Sequence, residues 1–462
     1  MPTSPAPDAA APPGMCPGIV VLGGGGGSGG EDGDGSGGGG GGNGEGAGGD
    51  GKSAPDPEKY PDCGSASHPV DVVTGRAYTH PIVDLARPGP LPFVLQRIYS
   101  SKVRLVDSGF GHGWAHPLGW SIEARRRDTR ILNDKGIAVD FPKVPKSGDV
   151  LGPWGWILRR DGDGFMLDAD DGVQRFFAPA DVQGQRYRLI RIEDANRDRI
   201  SLACEGQRLS EVTDSAGRMI RFRGTKAGQI ASVETLNAVS QGQWVCFAAY
   251  TYDERGDLIS ATDADGHTAH YEYDRDHRLT VDTDRTGLAF HFVYGRDGRC
   301  IESWGDYPGK RDPSLIDVLP SKLADGETKA KGIHHCKFEY MPGSLSEVAD
   351  STQVRRFFGN EHGTLDKRVE KGAVTTATYR EDGHLMSRVD AMLAETTFER
   401  DARGRILRVT DALARVTAVE RDGNGLPMAI TDPAERDARG AGQSREYPVR
   451  HRRSGRDDSP SP

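Results

Sequence analysis

The chain has 462 residues and a formal net charge of −9, with 35% hydrophobic and 27% charged residues. This length provides room for two or three domains. Acidic and basic residues are interleaved through the middle of the chain, which excludes a general affinity for nucleic acid. No apolar run approaches the length of a membrane span, and the N-terminus lacks the pattern of a Sec signal peptide. We therefore expect a protein that is cytoplasmic until a dedicated secretion system exports it.

The beginning of the chain has the composition of a tether. Residues 1–22 are rich in proline and alanine, and the following segment, residues 23–65, begins with a tract at 23–51 that consists mostly of glycine. Glycine loses the most backbone entropy on ordering and has no side chain to bury, so we predict that residues 23–65 are a disordered linker. Six cysteines are scattered without a CxxC pair, which predicts free thiols rather than a disulfide framework or a zinc site.

The next two segments are predicted to be nearly all β. Residues 66–145 alternate short β-prone stretches with glycine and proline, as in the turn at Thr74-Gly75. Residues 146–249 continue as short strands separated by turn dipeptides such as Asp161-Gly162. Neither segment holds a convincing apolar period of 3.6 residues, which argues against helices.

An internal repeat follows. The stretch YTYDERGDLISATDADG from Tyr250 matches YEYDRDHRLTVDTDRTG from Tyr271 at the tyrosine, aspartate, leucine and glycine positions. Residues 250–303 and 338–432 carry these repeats, residues 304–337 are predicted to be an inserted surface segment, and residues 433–462 lose the phase and are predicted to be a disordered tail. The repeat signature comprises Tyr250, Tyr252, Asp253, Gly256, Leu258, Asp263, Gly266, Tyr271, Tyr273, Asp274, Leu279, Asp284, Gly287, Tyr294, Gly383, Gly404 and Gly425.

One repeat unit reads as a β-hairpin. Two tyrosines two residues apart point to the same face of a strand. Asp253 to Gly256 form a turn, since aspartate can bond its own backbone and glycine can take a positive φ, and Leu258 begins the return strand. A single hairpin is marginally stable, so neighbouring units must stack to bury their aromatic face. The predicted fold class is therefore all-β, an elongated and coiled sheet of hairpins.

The repeat resembles the YD repeat of Rhs proteins and teneurins. The motifs PVDVVTG, PGPLP and IYSS resemble the conserved module that precedes these repeats in bacterial Rhs proteins. The resemblance implies a β-shell that encloses a C-terminal toxin and is delivered to rival cells, often by the type VI secretion apparatus. The chain has fewer repeats than the family's shells, and it lacks both the DPxGL-type motif and a toxin domain. We therefore expect an incomplete remnant whose partners are secretion-machine components and a toxin cargo encoded elsewhere.

Several side-chain groups offer potential catalytic or metal-binding sites. His334-His335-Cys336 could supply ligands, but surface or turn positions are the prediction because adjacent strand residues face opposite ways. His112 and His116 have no nucleophile motif beside them, so a structural role is predicted. The aspartates recur in every repeat, which suits a turn residue better than a catalytic pair. We predict no catalytic, cofactor-binding or metal-binding residue and no cofactor.

The predicted function is a non-catalytic scaffold. One alternative is a module that binds cell-surface glycans, which requires Tyr250, Tyr252, Tyr271 and Tyr273 to be exposed. A remote alternative is a hydrolase, which requires a pocket that brings catalytic groups together. The array is predicted to stop near Asp432, which would leave an unpaired strand edge on the last hairpin and promote self-association.

Overall fold

The computed structural model describes residues 64–206, 208–236, 242–309, 320–360, 363–423, 425–432 and 445–448. Within these ranges the regular structure consists of β-strands and two short 3₁₀ turns, Ser101–Val103 and Pro153–Gly155. The predicted all-β fold is confirmed. Residues 1–22 and almost all of the predicted linker lie outside the described residues. Within the described ranges, no helix is long and apolar enough to cross a membrane.

Residues 64–120 pack onto a much longer sheet, and we call them the docked segment. Its strands form a two-stranded and a three-stranded antiparallel unit. The strands are β1 (Ser65–Ala66), β2 (Val70–Asp71), β3 (Ile82–Arg87), β4 (Phe93–Tyr99) and β5 (Trp114–Ala115). Strand β4 is almost wholly buried, because apolar residues on both of its faces meet other parts of the protein.

The first part of the long sheet contains a branch. Strand β13 pairs with β12 on one side, and its other side pairs first with β6 and then with β14. The segment predicted at 66–145 therefore consists of two structural parts. Strands β6 to β8 belong to the long sheet, whereas β1 to β5 pack on it. These strands are β6 (Ser121–Ala124), β7 (Asp128–Leu132), β8 (Ala138–Pro142), β9 (Asp149–Leu151), β10 (Ile157–Asp161), β11 (Gly164–Asp168), β12 (Val173–Pro179), β13 (Arg186–Asp194) and β14 (Arg199–Glu205).

From β14 onward each strand pairs antiparallel with the next strand in the chain. The alternation expected for such a sheet is clear in β20, where Ala269 and Tyr271 are buried while His270 and Glu272 are exposed. The strands are β15 (Arg208–Thr213), β16 (Met219–Gly224), β17 (Ile230–Leu236), β18 (Trp244–Tyr252), β19 (Leu258–Asp263), β20 (Thr268–Tyr273), β21 (Leu279–Thr283), β22 (Ala289–Tyr294), β23 (Cys300–Asp306) and β24 (Ile333–Met341).

The later repeats continue the same pattern and bury fewer side chains, as the burial of β31 and β32 shows. The strands are β25 (Leu345–Ala349), β26 (Val354–Gly359), β27 (Leu365–Glu370), β28 (Ala373–Tyr379), β29 (Leu385–Val389), β30 (Glu395–Arg400), β31 (Ile406–Thr410), β32 (Val416–Arg421), β33 (Pro427–Asp432) and β34 (Arg445–Pro448).

The prediction of an unpaired last hairpin is wrong. Strand β33 pairs with β34, with Ile430 opposite Tyr447, so part of the predicted tail adds a strand to the sheet. Antiparallel pairing needs only backbone N–H and C=O groups, so four residues can pair without the repeat pattern. Residues 433–444 and 449–462 of that tail lie outside the described residues.

The predicted insertion at 304–337 is too wide. Strand β23 extends through Asp306 and β24 begins at Ile333, and Cys336, which pairs with Ser303, lies within the predicted insertion. The connection between the two strands is therefore 307–332. Its residues 310–319 lie outside the described part of the chain.

Candidate functional site: the docked segment on the repeat sheet

The turns after the tyrosine strands are built by aspartate side chains. The Oδ1 atom of Asp253 accepts hydrogen bonds from the N–H groups of Arg255 and Asp257, each at 2.9 Å. This geometry satisfies two turn donors with one carboxylate oxygen. The same pair of bonds, to the residues two and four positions later, occurs at Asp263, Asp274, Asp284, Asp390, Asp401 and Asp411. The recurring carboxylates therefore act on the backbone of their own turns.

The fourth residue of these turns has a positive φ, and it is glycine in most of them; Leu393 and Ala414 take the position after Asp390 and Asp411. The φ value is 84° at Gly256, and Gly266, Gly287, Gly383, Gly404 and Gly425 have similar values. His277 takes the equivalent position one repeat after Gly256, with a φ of 60°. Leu258 and Leu279 begin the strands that leave two of these turns, and both are fully buried.

Tyrosine hydroxyls connect successive hairpins. Tyr252 donates to the carbonyl oxygen of Ile230 at 2.6 Å, and Tyr294 donates to that of Leu279 at 2.9 Å. A third hydroxyl, that of Tyr379, reaches the carbonyl of Leu365 at 3.2 Å. Each hydroxyl thus satisfies a carbonyl of an earlier repeat, which fixes the spacing between hairpins.

Arginine replaces tyrosine in this role near the end of the array. The Nε atom of Arg400 donates to the carbonyl of Leu385 at 2.9 Å, and that of Arg421 donates to the carbonyl of Ile406 at 3.2 Å. Both arginines follow Tyr379 in the phase of the repeat. Sequence reasoning that tracked only tyrosine missed them, although their phase was visible.

The tyrosines named as a potential glycan surface are covered. Tyr250 and Tyr271 are 4% and 2% exposed. Tyr252 and Tyr273 are partly buried and pack against the hydrophobic core. The indole N–H of Trp114 in the docked segment donates to the Tyr273 hydroxyl at 2.8 Å. These rings lack the exposure that stacking on a sugar requires.

An ion pair lies beneath the docked segment. Arg97 donates to Asp84 through Nε at 2.5 Å and through one terminal nitrogen at 3.1 Å, and the two side chains are 0% and 1% exposed. The Tyr250 hydroxyl donates to the same carboxylate at 2.8 Å. The guanidinium carbon of Arg97 lies 4.9 Å from the centre of the Trp114 ring and 5.2 Å from that of Tyr250. Aromatic faces and a carboxylate therefore compensate this buried charge.

Two titratable groups near this pair are neutral over a broad pH range. Burial raises the pKa of Asp282 to about 7. Burial, and then the neighbouring His80 and His334, lower the pKa of His68 to about 4. The Nε2 atom of His68 lies 4.0 Å from Asp282. Between these two pKa values the groups face each other uncharged rather than as an ion pair.

The docked segment contacts repeats that are far apart in the chain. At the turn between β15 and β16, the N–H of Leu91 donates to the Ser215 hydroxyl at 3.0 Å. The Tyr99 hydroxyl donates to the carbonyl of His277 and accepts the N–H of Leu279, both at 2.9 Å. Farther along, the Ser346 hydroxyl donates to the carbonyl of Val72 at 2.6 Å. The segment therefore fastens the sheet from the turn between β15 and β16 to strand β25.

The sheet also contacts itself across a long sequence separation. Arg403, in the turn between β30 and β31, donates to the carbonyl of Gly155 at 3.0 Å and to the Asp168 carboxylate at 3.2 Å. A Cβ added at Gly155 would lie 2.0 Å from the carbonyl oxygen of Arg403, so the two backbones are in close contact. The late hairpins thus return to the early strands β10 and β11.

The structure corrects one interpretation of the histidines and adds detail to another. His335 and Cys336 are each 3% exposed in β24, not surface or turn residues, because β24 packs against the core; the exposed residue is His334. The Nε2 atom of His335 lies 2.9 Å from the Glu302 carboxylate. His116 is buried with Nε2 2.8 Å from the carbonyl of Ser108, which is a structural role.

Comparison with known proteins identifies the two parts of this interface. The family described as Domain of unknown function (DUF6531) matches residues 67–141, and RHS Repeat matches residues 252–289 and 400–437. "Double-stranded DNA deaminase toxin A" of Burkholderia cenocepacia (strain H111) is 28% identical over 212 residues, 44% of this chain and 14% of that protein. "Probable deoxyribonuclease RhsB" of Dickeya dadantii (strain 3937) is 26% identical over 328 residues, 68% of this chain and 20% of that protein.

Solved structures also match the chain, with low TM-scores. One, titled "Crystal Structure of TcdB2-TccC3-TEV", gives a TM-score of 0.32 and 11% identity over 78% of this chain and 21% of that one. Another, of the Photorhabdus luminescens Tc holotoxin pore, gives a TM-score of 0.28 and 9% identity, and the match covers 80% of this chain and 28% of that one.

The described fold is thus a coiled sheet of YD-type hairpins that carries a docked N-terminal segment. The sequence matches confirm the family resemblance: the chain carries RHS repeats and resembles the N-terminal part of Rhs polymorphic toxins. It spans a fifth or less of the length of the two relatives named above.

Proposed function

We propose that this chain is a non-catalytic scaffold that helps to enclose a toxin cargo and deliver it in competition between bacteria. One observation carries the proposal, namely that the hairpin array returns to its own beginning through Arg403, Gly155 and Asp168. A sheet that meets itself in this way bounds an interior, whereas a flat sheet presents two open faces. Enclosure of a cargo is what such a wall can provide.

The docked segment supports a wall of fixed curvature. Its hydrogen bonds reach Ser215, Leu279 and Ser346, so the intervening hairpins cannot splay apart without breaking them. Stacked repeats otherwise depend only on their neighbours, and contacts across many repeats make them cooperative. A container that must keep a toxin inactive until delivery needs this rigidity.

The charged groups at this interface favour a structural role over catalysis. Asp84 and Arg97 are inaccessible to solvent and bonded to each other, so neither is available to a substrate. The recurring turn aspartates already accept backbone N–H groups. The toxic activities in the names of the two relatives belong, in our proposal, to cargo rather than to this scaffold. A dedicated secretion system such as type VI would export the assembly.

A bacterial competition experiment tests this function. Survival of a susceptible rival is measured after co-culture with the wild-type strain, with a strain deleted for the gene, and with two complemented variants. Gly155→Ala places a methyl group against the Arg403 carbonyl, 2.0 Å from the ideal Cβ position. Gly162→Ala is the matched control, because Gly162 also has a positive φ but no atom lies within 4 Å of its added Cβ.

The proposal predicts that the rival survives the deletion strain and the Gly155→Ala strain but not the wild type or Gly162→Ala. Immunoblots must show equal amounts of both variants. Equal killing by the deletion strain and the wild type would overturn a role in competition. Equal killing by both glycine variants would overturn the role of the coiled sheet.

A further inference from the structure

Three metal-ligand side chains meet where the docked segment touches the repeat turns. His112 lies in the docked segment, Asp257 follows the turn of one repeat, and His277 lies in the turn of the next. One ligand atom from each residue lies within 4.8 Å of the other two. We infer that these residues form a binding site for a divalent transition-metal ion such as Zn²⁺, which would clasp the docked segment to the repeats.

The distances suit a tetrahedral ion. The Nδ1 atom of His112 lies 3.4 Å from Oδ1 of Asp257, and Nδ1 of His277 lies 2.7 Å from the same oxygen. Ligand bonds of about 2.0–2.1 Å to tetrahedral zinc separate neighbouring ligand atoms by about 3.3 Å. The first distance already fits, and the second must lengthen by about half an ångström on replacing its hydrogen bond.

The state of His112 independently favours a ligand. Its Nδ1 atom is buried and, although it lies 3.4 Å from Oδ1 of Asp257, makes no well-aligned hydrogen bond among the described residues; its ring stacks on His277 with centroids 3.9 Å apart. A buried polar atom without a partner costs stability. A metal ion would satisfy that nitrogen, and imidazole nitrogen with carboxylate oxygen is an ordinary ligand set for zinc.

His277 occupies a position that the repeat assigns to glycine. Gly256 lies one repeat before it, Gly298 lies one repeat after it, and all three have positive φ values. Two later turns also carry a side chain with a positive φ at this position, Leu393 (64°) and Ala414 (59°), so the turn accepts a side chain, which at His277 is an imidazole. This turn conformation places Nδ1 of His277 2.7 Å from the Asp257 carboxylate, and the Tyr99 hydroxyl donates to the His277 carbonyl at 2.9 Å.

The surroundings hold the carboxylate and leave the ion accessible. Asp257 is fully buried, and Arg255 donates a hydrogen bond to its second oxygen, which orients the first toward the histidines. The side chains of His112 and His277 are 24% and 20% exposed, so an ion could enter from solvent and keep a water as its fourth ligand.

Zinc binding to the purified full-length chain tests the inference. Isothermal titration with ZnCl₂ should show an equivalent of Zn²⁺ that His277→Gly loses or binds more than about 10-fold more weakly. This variant restores the residue of neighbouring turns, so its circular dichroism spectrum and melting temperature should match or exceed those of the metal-free wild type. His112→Ala should lose the same equivalent.

A control separates this cluster from a nearby exposed one. Asp263, Asp265 and His267 also approach one another, but two of these residues are exposed. His267→Ala should therefore retain the equivalent that His277→Gly loses, and Zn²⁺ should raise the melting temperature of His267→Ala but not of His277→Gly. Zn²⁺ binding that is absent from the wild type, or unchanged in His277→Gly, would overturn the inference.

Discussion

Replacing Arg97 with methionine should strongly destabilise the fold. The substitution keeps much of the apolar stem and removes the charge that pairs with Asp84. The carboxylate is 1% exposed and, among the described residues, would keep the Tyr250 hydroxyl at 2.8 Å and a more distant contact, 3.7 Å from Arg285. Breaking one side of a buried ion pair typically costs about 3–5 kcal/mol, because the other charge is left in a low dielectric.

Replacing both partners should cost less than replacing one. In Asp84→Leu with Arg97→Met no buried charge remains, and the main loss is the hydrogen bond of the Tyr250 hydroxyl, about 1–3 kcal/mol. Arg130→Met is the matched surface control, because Arg130 and Asp140 form a similar pair with side chains 41% and 50% exposed. Its expected cost is below about 1 kcal/mol.

Urea unfolding followed by far-UV circular dichroism measures these free energies. Limited proteolysis of the same samples shows whether the docked segment detaches before the sheet unfolds. The reasoning fails if Arg97→Met costs no more than Arg130→Met, or if the double replacement costs as much as Arg97→Met alone.

Three further predictions concern the repeats. Tyr294→Phe removes the hydroxyl that bonds the Leu279 carbonyl at 2.9 Å and should cost about 1 kcal/mol, seen as faster amide exchange in both hairpins. Gly404→Ala should lower the melting temperature more than Gly266→Ala, because its Cβ would lie 1.8 Å from an imidazole nitrogen while nothing lies within 4 Å of the other. Asp282→Asn should not change stability near pH 4 but should raise it relative to wild type above pH 7. The folded-state pKa of Asp282, about 7, exceeds its unfolded value of 3.8. Burial of Asp282 therefore destabilises the wild type progressively as pH rises from the unfolded to the folded pKa, which urea titrations at several pH values would show.

The local structure of the repeats was predictable from the sequence. Spacing alone located turns such as Asp253 to Gly256, because an Asx turn and a positive φ are properties of a few adjacent residues. Short β-prone stretches between turn residues, without an apolar period of 3.6 residues, likewise predicted an all-β sheet. These features depend on interactions between residues close in sequence, and the same residues recur in each repeat.

The contacts between distant residues were not predictable in the same way. Asp84 and Arg97 lie in one hairpin, but their burial depends on Tyr250, which is 166 residues from Asp84. The contact of Arg403 with Gly155 spans 248 residues and follows from the accumulated coiling of the sheet. The strand Arg445–Pro448 pairs through its backbone, so no side-chain pattern in the sequence predicted it.

The return of the sheet to its own beginning can be measured by zero-length cross-linking. Arg403→Lys places an amine where the arginine contacts Asp168, 3.2 Å away, and carbodiimide joins amines to carboxylates in direct contact. Lys331 and Glu302, 2.7 Å apart, provide an internal positive control in the same molecule. Mass spectrometry of the monomer fraction should find both the 168–403 and the 302–331 linkages. Finding the 302–331 linkage without the 168–403 linkage would contradict the coiled sheet.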